Sequence, residues 1–275
     1  MTDIPAGTTA GAPAPPLEWH DVCRIEEQLV ELAGLAGAAV REDPSLGGSL
    51  VRWPGRGPAL NHLERVRWPA DDEEIQARLG ALAAVVSRSG DPPAIAVVDG
   101  LTKPADLGAR LARLGWRAPL RELVLWTRRA PAMPHLEPIP RVEAVTARTV
   151  EAYEALERSI FGLDPGLAAS RLEAAQRSMA AGRLRAYLLR MGEEPVATAR
   201  LWSFGDLACV DGIGVVEPAR RRRYGSLVTA IATRAALASG HRLAWLEVAG
   251  DNVGARDLYE RLGYRTAFEW RLFVR

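Results

Sequence analysis

The segment Arg220-Arg221-Arg222-Arg223-Tyr224-Gly225-Ser226 sets four consecutive arginines at the start of a helical stretch. The first turn of a helix has backbone N–H groups that no helical carbonyl uses, and the helix dipole favours negative charge there. Cations at that end are unfavourable unless an anion offsets them, so the turn reads as a phosphate cradle. Further on, Glu247 ends an apolar strand, and Tyr259 follows twelve residues later on a helix. A carboxylate and a phenol beside one crevice are a candidate base and acid. Asp211, on the preceding strand, is the rival base, and Asn252 has the residue type and place of a helix N-cap.

These residues need a scaffold of strands that end together and helices that start there. The strand 207–216 (LACVDGIGVV) leads through Ile213-Gly214-Val215 into the basic turn. An Ala-rich helix must then return the chain to a parallel strand, LAWLEVA, because a tight turn cannot join parallel neighbours. A helix over 253–262 and the strand YRTAFEWRLFVR close the segment. Upstream, VEAVTA reads as a strand, TVEAYEALERSIFG as a helix, and 167–181 as a second helix. RAYLLRM and PVATARLWSF flank Gly192-Glu193-Glu194 as a hairpin. Gly212–Glu217 opens like a dinucleotide fingerprint but lacks its last glycine.

Taken together, Arg220, Gly225, Asn252, Ala255, Leu258-Tyr259 and Leu262-Gly263-Tyr264 resemble the GCN5-related N-acetyltransferases over 141–275. That family's cradle is Arg or Gln, two residues, Gly, one residue, then Gly or Ala. Arg223 stands where the middle Gly is expected, and Glu217 where the family has Pro. The Glu247-to-Tyr259 spacing is that of bacterial ribosomal-protein alanine acetyltransferases, whose Glu is the general base and Tyr the general acid. The resemblance implies a mixed α/β sheet and acetyl-CoA as cosubstrate, without a metal. The cosubstrate would lie on Ile213, Gly214, Val215, Arg220–Ser226 and Asn252. It implies catalysis by Glu247 and Tyr259, and an acceptor wall around Phe161, Leu163, Asp164, Trp202 and Asp211. A phenol near its ordinary pKa of ~10 can steady a departing thiolate near ~8.5 without ionising at neutral pH.

The first half repeats the second. Leu114-Gly115-Trp116 falls on Leu262-Gly263-Tyr264 at a shift of 148. The same ungapped shift lays PAIAVVDG on HRLAWLEV and 71–88 on 219–236. Two similar folds side by side are expected, forming an internal pseudo-dimer in a monomeric chain. The first copy reads as degenerate: Asp71-Asp72-Glu73-Glu74 replaces the cradle and Leu111 replaces Tyr259. Carboxylates there repel a pyrophosphate by roughly 4 kcal/mol per close pair at an effective dielectric of 20, and they suit the start of a free helix. The division expected is a disordered tail at 1–16, a degenerate domain at 17–129, a Pro-rich linker at 130–140 and a catalytic domain at 141–275.

Composition narrows the classes. Apolar residues are 48% and charged residues 25% of 275, ordinary for a globular protein with one or two domains. A net charge of +1 and no aromatic interleaving of the arginines argue against nucleic acid. Cys23 and Cys209 alone make no disulfide framework, which fits a reducing cytosol. No apolar run reaches the ~18 residues that would suggest a membrane span, and no export leader opens the sequence. His20, His62, His135 and His241 lack metal-ligand spacing, and no GxSxG occurs. The reading is an N-acetyltransferase acting on a primary amine of a small molecule or peptide N-terminus. The alternative is a non-catalytic acyl-CoA-binding or partner-binding protein of the same fold.

Overall fold

A computed structural model describes residues 16–163 and 165–275. The tail expected at 1–16 falls outside them except for residue 16, and so does the acceptor-wall candidate Asp164. The first half runs α1 (Trp19–Leu35), β1 (Ala39–Asp43), β2 (Gly48–Arg52), β3 (Asn61–Glu64), α2 (Asp72–Val86), β4 (Ala94–Val98), α3 (Leu107–Arg113) and β5 (Arg117–Thr127). Residues 128–140 carry neither helix nor strand. Then come β6 (Arg141–Ala144), α4 (Val150–Phe161), α5 (Pro165–Ala180), β7 (Leu184–Met191), β8 (Glu194–Phe204) and β9 (Leu207–Val215). The chain ends with α6 (Tyr224–Ala238), β10 (Leu243–Ala249), α7 (Val253–Arg261) and β11 (Arg265–Val274).

All eleven strands join one sheet, in the order β1-β2-β3-β4-β11-β5-β10-β9-β8-β7-β6. Two side-by-side units were expected; one continuous sheet is found. The last strands of the two halves are exchanged. β11 pairs antiparallel with β4 and β5, while β10 pairs with β5 and not with the strand that follows it in sequence. Alternation of side chains across the strands then makes two cores. α1, α4 and α5 cover one face: Ile25 of α1 packs with Val98, Trp126, Trp245 and Phe268. α2 and α3 cover the other face over Leu63, Ile95 and Val97, and α6 lies there over Val196, Val210 and Ala244. The first of these cores draws on α1, β4, β5, β9, β10 and β11, so neither half buries its apolar surface alone.

The repeat holds at the level of elements but not without a gap. A shift of 148 carries 107–113 onto 255–261 and 117–127 onto 265–275, matching α7 and β11. For β4 it fails. Val98 pairs with Trp270, and Ala249 pairs with Glu122, which lies 148 before Trp270. Val98 therefore corresponds to Ala249, 151 positions on, and Ala96 corresponds to Glu247. The connection from β4 to α3 holds the three extra residues.

Candidate functional site

β9 and β10 run parallel but stay paired only at Leu207↔Leu243, Ala208↔Ala244 and Cys209↔Trp245. Beyond that they part, β9 to Val215 and β10 to Ala249. A bulge in β9 increases the divergence, since Thr198↔Gly214 and Arg200↔Asp211 leave Gly212 and Ile213 opposite Ala199 alone. Gly212 takes φ +55° there, and a bulged residue leaves ladder groups unpaired. Gly214 is required for a different reason: a Cβ on it would lie 2.4 Å from Ile160 Cγ2 of α4.

The gap is a cleft of about 220 Å³, lined among others by Phe161, Asp211, Ile213, Glu247, Asn252 and Tyr259. Glu247 and Tyr259, a strand and a turn apart in sequence, are thus brought together. Glu247 lies on the α1/α5 face with Trp245, whereas Tyr259 packs on the opposite face with Leu246, Val248 and Tyr264. The Glu247 carboxylate accepts from Trp270 Nε1 at 2.7 Å. Burial, and to a smaller degree Glu122, Glu64 and Asp211, push its pKa up to about 8 against the Trp270 hydrogen bond. Burial alone pushes the Tyr259 phenol up, so it stays protonated at neutral pH. Asn252 caps α7, its Oδ1 accepting from Ala255 N at 3.1 Å.

Asp211 is differently placed. Its Oδ1 accepts from Arg200 Nε at 3.0 Å and Trp202 Nε1 at 2.9 Å, and its Oδ2 from Arg200 Nη2 at 2.9 Å. Both Asp211 oxygens are thus taken up by side-chain donors, whereas Glu247 faces the cleft with Trp270 Nε1 as its one hydrogen-bond donor among the described residues, which makes Glu247 the better-placed candidate base. Trp202 is 3% exposed and belongs to the core, holding Asp211 in place instead of walling an acceptor site. Leu163 lines a crevice between α4 and α5 and is not among the residues lining the cleft.

The basic turn forms at the start of α6. Arg221 and Arg223 both take left-handed backbone, φ +63° and +62°. Arg223 is the N-cap with no side-chain cap, and the first helical bond returns from Leu227 N to Arg223 O at 3.0 Å. The amides of Tyr224, Gly225 and Ser226 are the orphan donors of the first turn. Arg220 through Arg223 are exposed, and Arg220 Nε donates to Val215 O at 3.2 Å. Among the described residues no carboxylate pairs with any of the four. Gly225 sits close to Leu258 and Val215, fixing α6 beside α7 and β9. Tyr224, expected at the cofactor, is 6% exposed with its ring in the core, leaving only its backbone toward the turn. These residues fit a phosphate-bearing chain laid across the α6 start with its reactive end between β9 and β10.

The first half lacks each part. Asp71 caps α2, its own carboxylate accepting Glu74 N at 2.9 Å, and Asp72 is tied to Arg110. Leu111 is fully buried in the core and Ala96 stands in the place of Glu247. Among the described residues no group of three or more His, Cys, Asp or Glu is placed to hold a metal, and no helix is long and apolar enough to cross a membrane. Cys23 and Cys209 are free thiols.

Three participants were missed in the sequence. Arg200 was readable, being as far before the Gly205-Asp206 turn as Asp211 is after it. Glu122 and Trp270 had no such signal, since β5 and β11 reach the cleft only through the strand exchange.

Residues 151–264 match the Acetyltransferase (GNAT) family. The described residues share the fold of solved GNAT proteins. A GCN5-related N-acetyltransferase from Kribbella flavida superposes with a TM-score of 0.67 at 22% identity, over 91% of this chain and 94% of that one. A conserved protein of unknown function from Staphylococcus epidermidis gives 0.65 at 14% identity, over 87% and 94%. A tandem GNAT protein from the clavulanic acid biosynthesis pathway gives 0.61 at 15% identity, over 83% and 78%. Against curated proteins the sequence finds no match.

Proposed function

We propose that this chain is an acetyl-CoA-dependent N-acetyltransferase acting on a primary amine by direct attack. The observation that carries the reading is the parting of β9 and β10 between Glu247 and Tyr259, beside a helix start whose amides are free. The pantetheine arm would enter between the strands, with the pyrophosphate on the amides of 224–226 and the arginines around them. The acceptor arrives as an ammonium and gives a proton to Glu247. Its nitrogen lone pair attacks the thioester carbonyl carbon, the C–S bond breaks, and the leaving thiolate is met by the Tyr259 O–H. A base at about 8 is nearer an amine's ~10.4 than an ordinary carboxylate, which eases that first transfer.

The first half we read as a degenerate tandem copy that has kept the scaffold and lost the cradle, base and acid. The chain would act as a monomer in the cytosol, the two halves standing in for the partners of a dimer. Arg223 does not favour the non-catalytic alternative, because its backbone takes the left-handed conformation a glycine would supply. The test is thiol release from acetyl-CoA over a panel of amines and peptides, with acetylated product identified by mass. Binding of acetyl-CoA without turnover of any amine or peptide would leave the non-catalytic reading.

A further inference from the structure

A second cavity of about 210 Å³ opens on the α1/α5 face, and Glu247 and Asp211 line it as well as the cleft. It is the approach to the Glu247 carboxylate opposite Tyr259. Leu29, Leu32 and Ala33 of α1 with Ala96 and Val98 of β4 give it an apolar wall, all from the first half. Its volume is below the ~300–1,000 Å³ of clefts that hold drug-sized ligands, which suits a small acceptor.

The charged groups in this cavity are nearly all paired. His62 Nε2 meets Glu64 Oε1 at 2.8 Å, and Asp211 is held by Arg200, whose Nη1 also donates to Glu157 Oε2 at 3.2 Å. Two remain, the Glu247 carboxyl and the Arg171 guanidinium of α5. Arg171 is half-buried, and among the described residues nothing hydrogen-bonds or ion-pairs with it. Burial and the neighbouring Arg200 push its pKa down, and the carboxylates of Asp211 and Glu157, both beyond ion-pair distance and held by Arg200, offset this only in part. A desolvated guanidinium is suited to a carboxylate, which it can hold in a bidentate fork.

Building on the proposed acetyl transfer, we propose that the acceptor is a small free amino acid with an apolar side chain. Its ammonium faces Glu247, its carboxylate meets Arg171, and its side chain lies on the wall supplied by α1 and β4. The first half thereby selects the acceptor for a reaction carried out in the second. A decarboxylated amine leaves Arg171 without a directly bonded carboxylate, and a peptide presents an amide where the carboxylate belongs.

The experiment compares leucine, leucine methyl ester, isoamylamine and leucylglycine as acceptors with the full-length protein, alongside titration of leucine into protein saturated with CoA. The expected result is a kcat/KM for leucine at least tenfold above those of the other three. Arg171→Gln should abolish that preference by raising KM for leucine, Arg171→Lys should retain part of it, and both should bind acetyl-CoA as the wild type does. Equal or better turnover of the ester, the amine or the dipeptide would overturn the amino-acid assignment while leaving acetyl transfer standing. A preference surviving in a folded Arg171→Gln variant would overturn the role of Arg171. Leucine that binds the CoA complex without turnover would instead count against the transfer reading, and no binding and no turnover of leucine would overturn the assignment.

Discussion

Glu247 is surrounded by groups that oppose its ionisation. Burial acts first, Glu122, Glu64 and Asp211 add like charge, and only the Trp270 N–H favours the carboxylate. Activity that needs the ionised form should therefore rise with pH through about 8, and Glu247→Gln should lower kcat and remove that limb from the pH–rate profile. A wild-type limb retained in Glu247→Gln and lost in Asp211→Asn would transfer the role to Asp211. Stability carries the same signature. Between its ordinary value of 4.5 and about 8 this carboxyl binds more protons folded than unfolded, so stability falls as pH rises through that window. Glu247→Gln should accordingly melt higher than the wild type at about pH 9, with the two converging near pH 4. Tyr259 lines the cleft, and among the described residues no group hydrogen-bonds its O–H. Tyr259→Phe should lower turnover by about 10²–10⁴-fold with acetyl-CoA affinity nearly unchanged, measured by steady-state kinetics and titration.

The cradle is a property of an element boundary more than of any side chain. Two non-glycine residues in left-handed backbone within one turn, Arg221 and Arg223, store strain that the helix start and the Gly225 contact hold in place. The left-handed region costs an L-residue about 1–2 kcal/mol, and a cation at a helix N-terminus about 0.3–1 kcal/mol more. Arg223→Gly relieves both and gives back only the ~0.5–1 kcal/mol of glycine's extra unfolded-state freedom. The variant should be more stable by about 1 kcal/mol in urea unfolding and bind acetyl-CoA within a few-fold of the wild type. A tenfold loss of affinity would mean that the Arg223 guanidinium, and not the backbone it shapes, makes the contact.

At the scale of the molecule the exchanged strands decide what can be separated. β11 finds both its partners, β4 and β5, in the first half, and β10 has β5 for its outer neighbour. A fragment of residues 130–275 would leave β10 with an open edge and β11 with no partner, and it would lose the α1 side of the shared core. It should be insoluble or unfolded by circular dichroism; a soluble, cooperatively melting fragment would contradict the shared-core account. In the first half Asp71 caps α2 where the second half has its basic turn, so titration of acetyl-CoA should show one site per 29.8 kDa chain. Two equivalent sites would restore function to α2.

Local chemistry was legible in the chain because it repeats at short range. The β7–β8 hairpin, the α6 return to a parallel β10, the Asn252 cap and the Leu262-Gly263 end of α7 all follow from residues within a few positions of one another. The carboxylate and phenol were readable as residue types at the ends of such elements. Their surroundings were not. Alternation along β10 and β11 says that one face is buried without saying which strand lies alongside, and an ungapped repeat cannot show a three-residue insertion after β4. Pairing over more than a hundred residues placed Trp270 on Glu247, Glu122 in the cleft and α1 over the second cavity beside Glu247. The sequence by itself determined which groups were on hand for the chemistry. The strand exchange, a matter of which edges bury the most apolar surface together, decided what each of those groups faces.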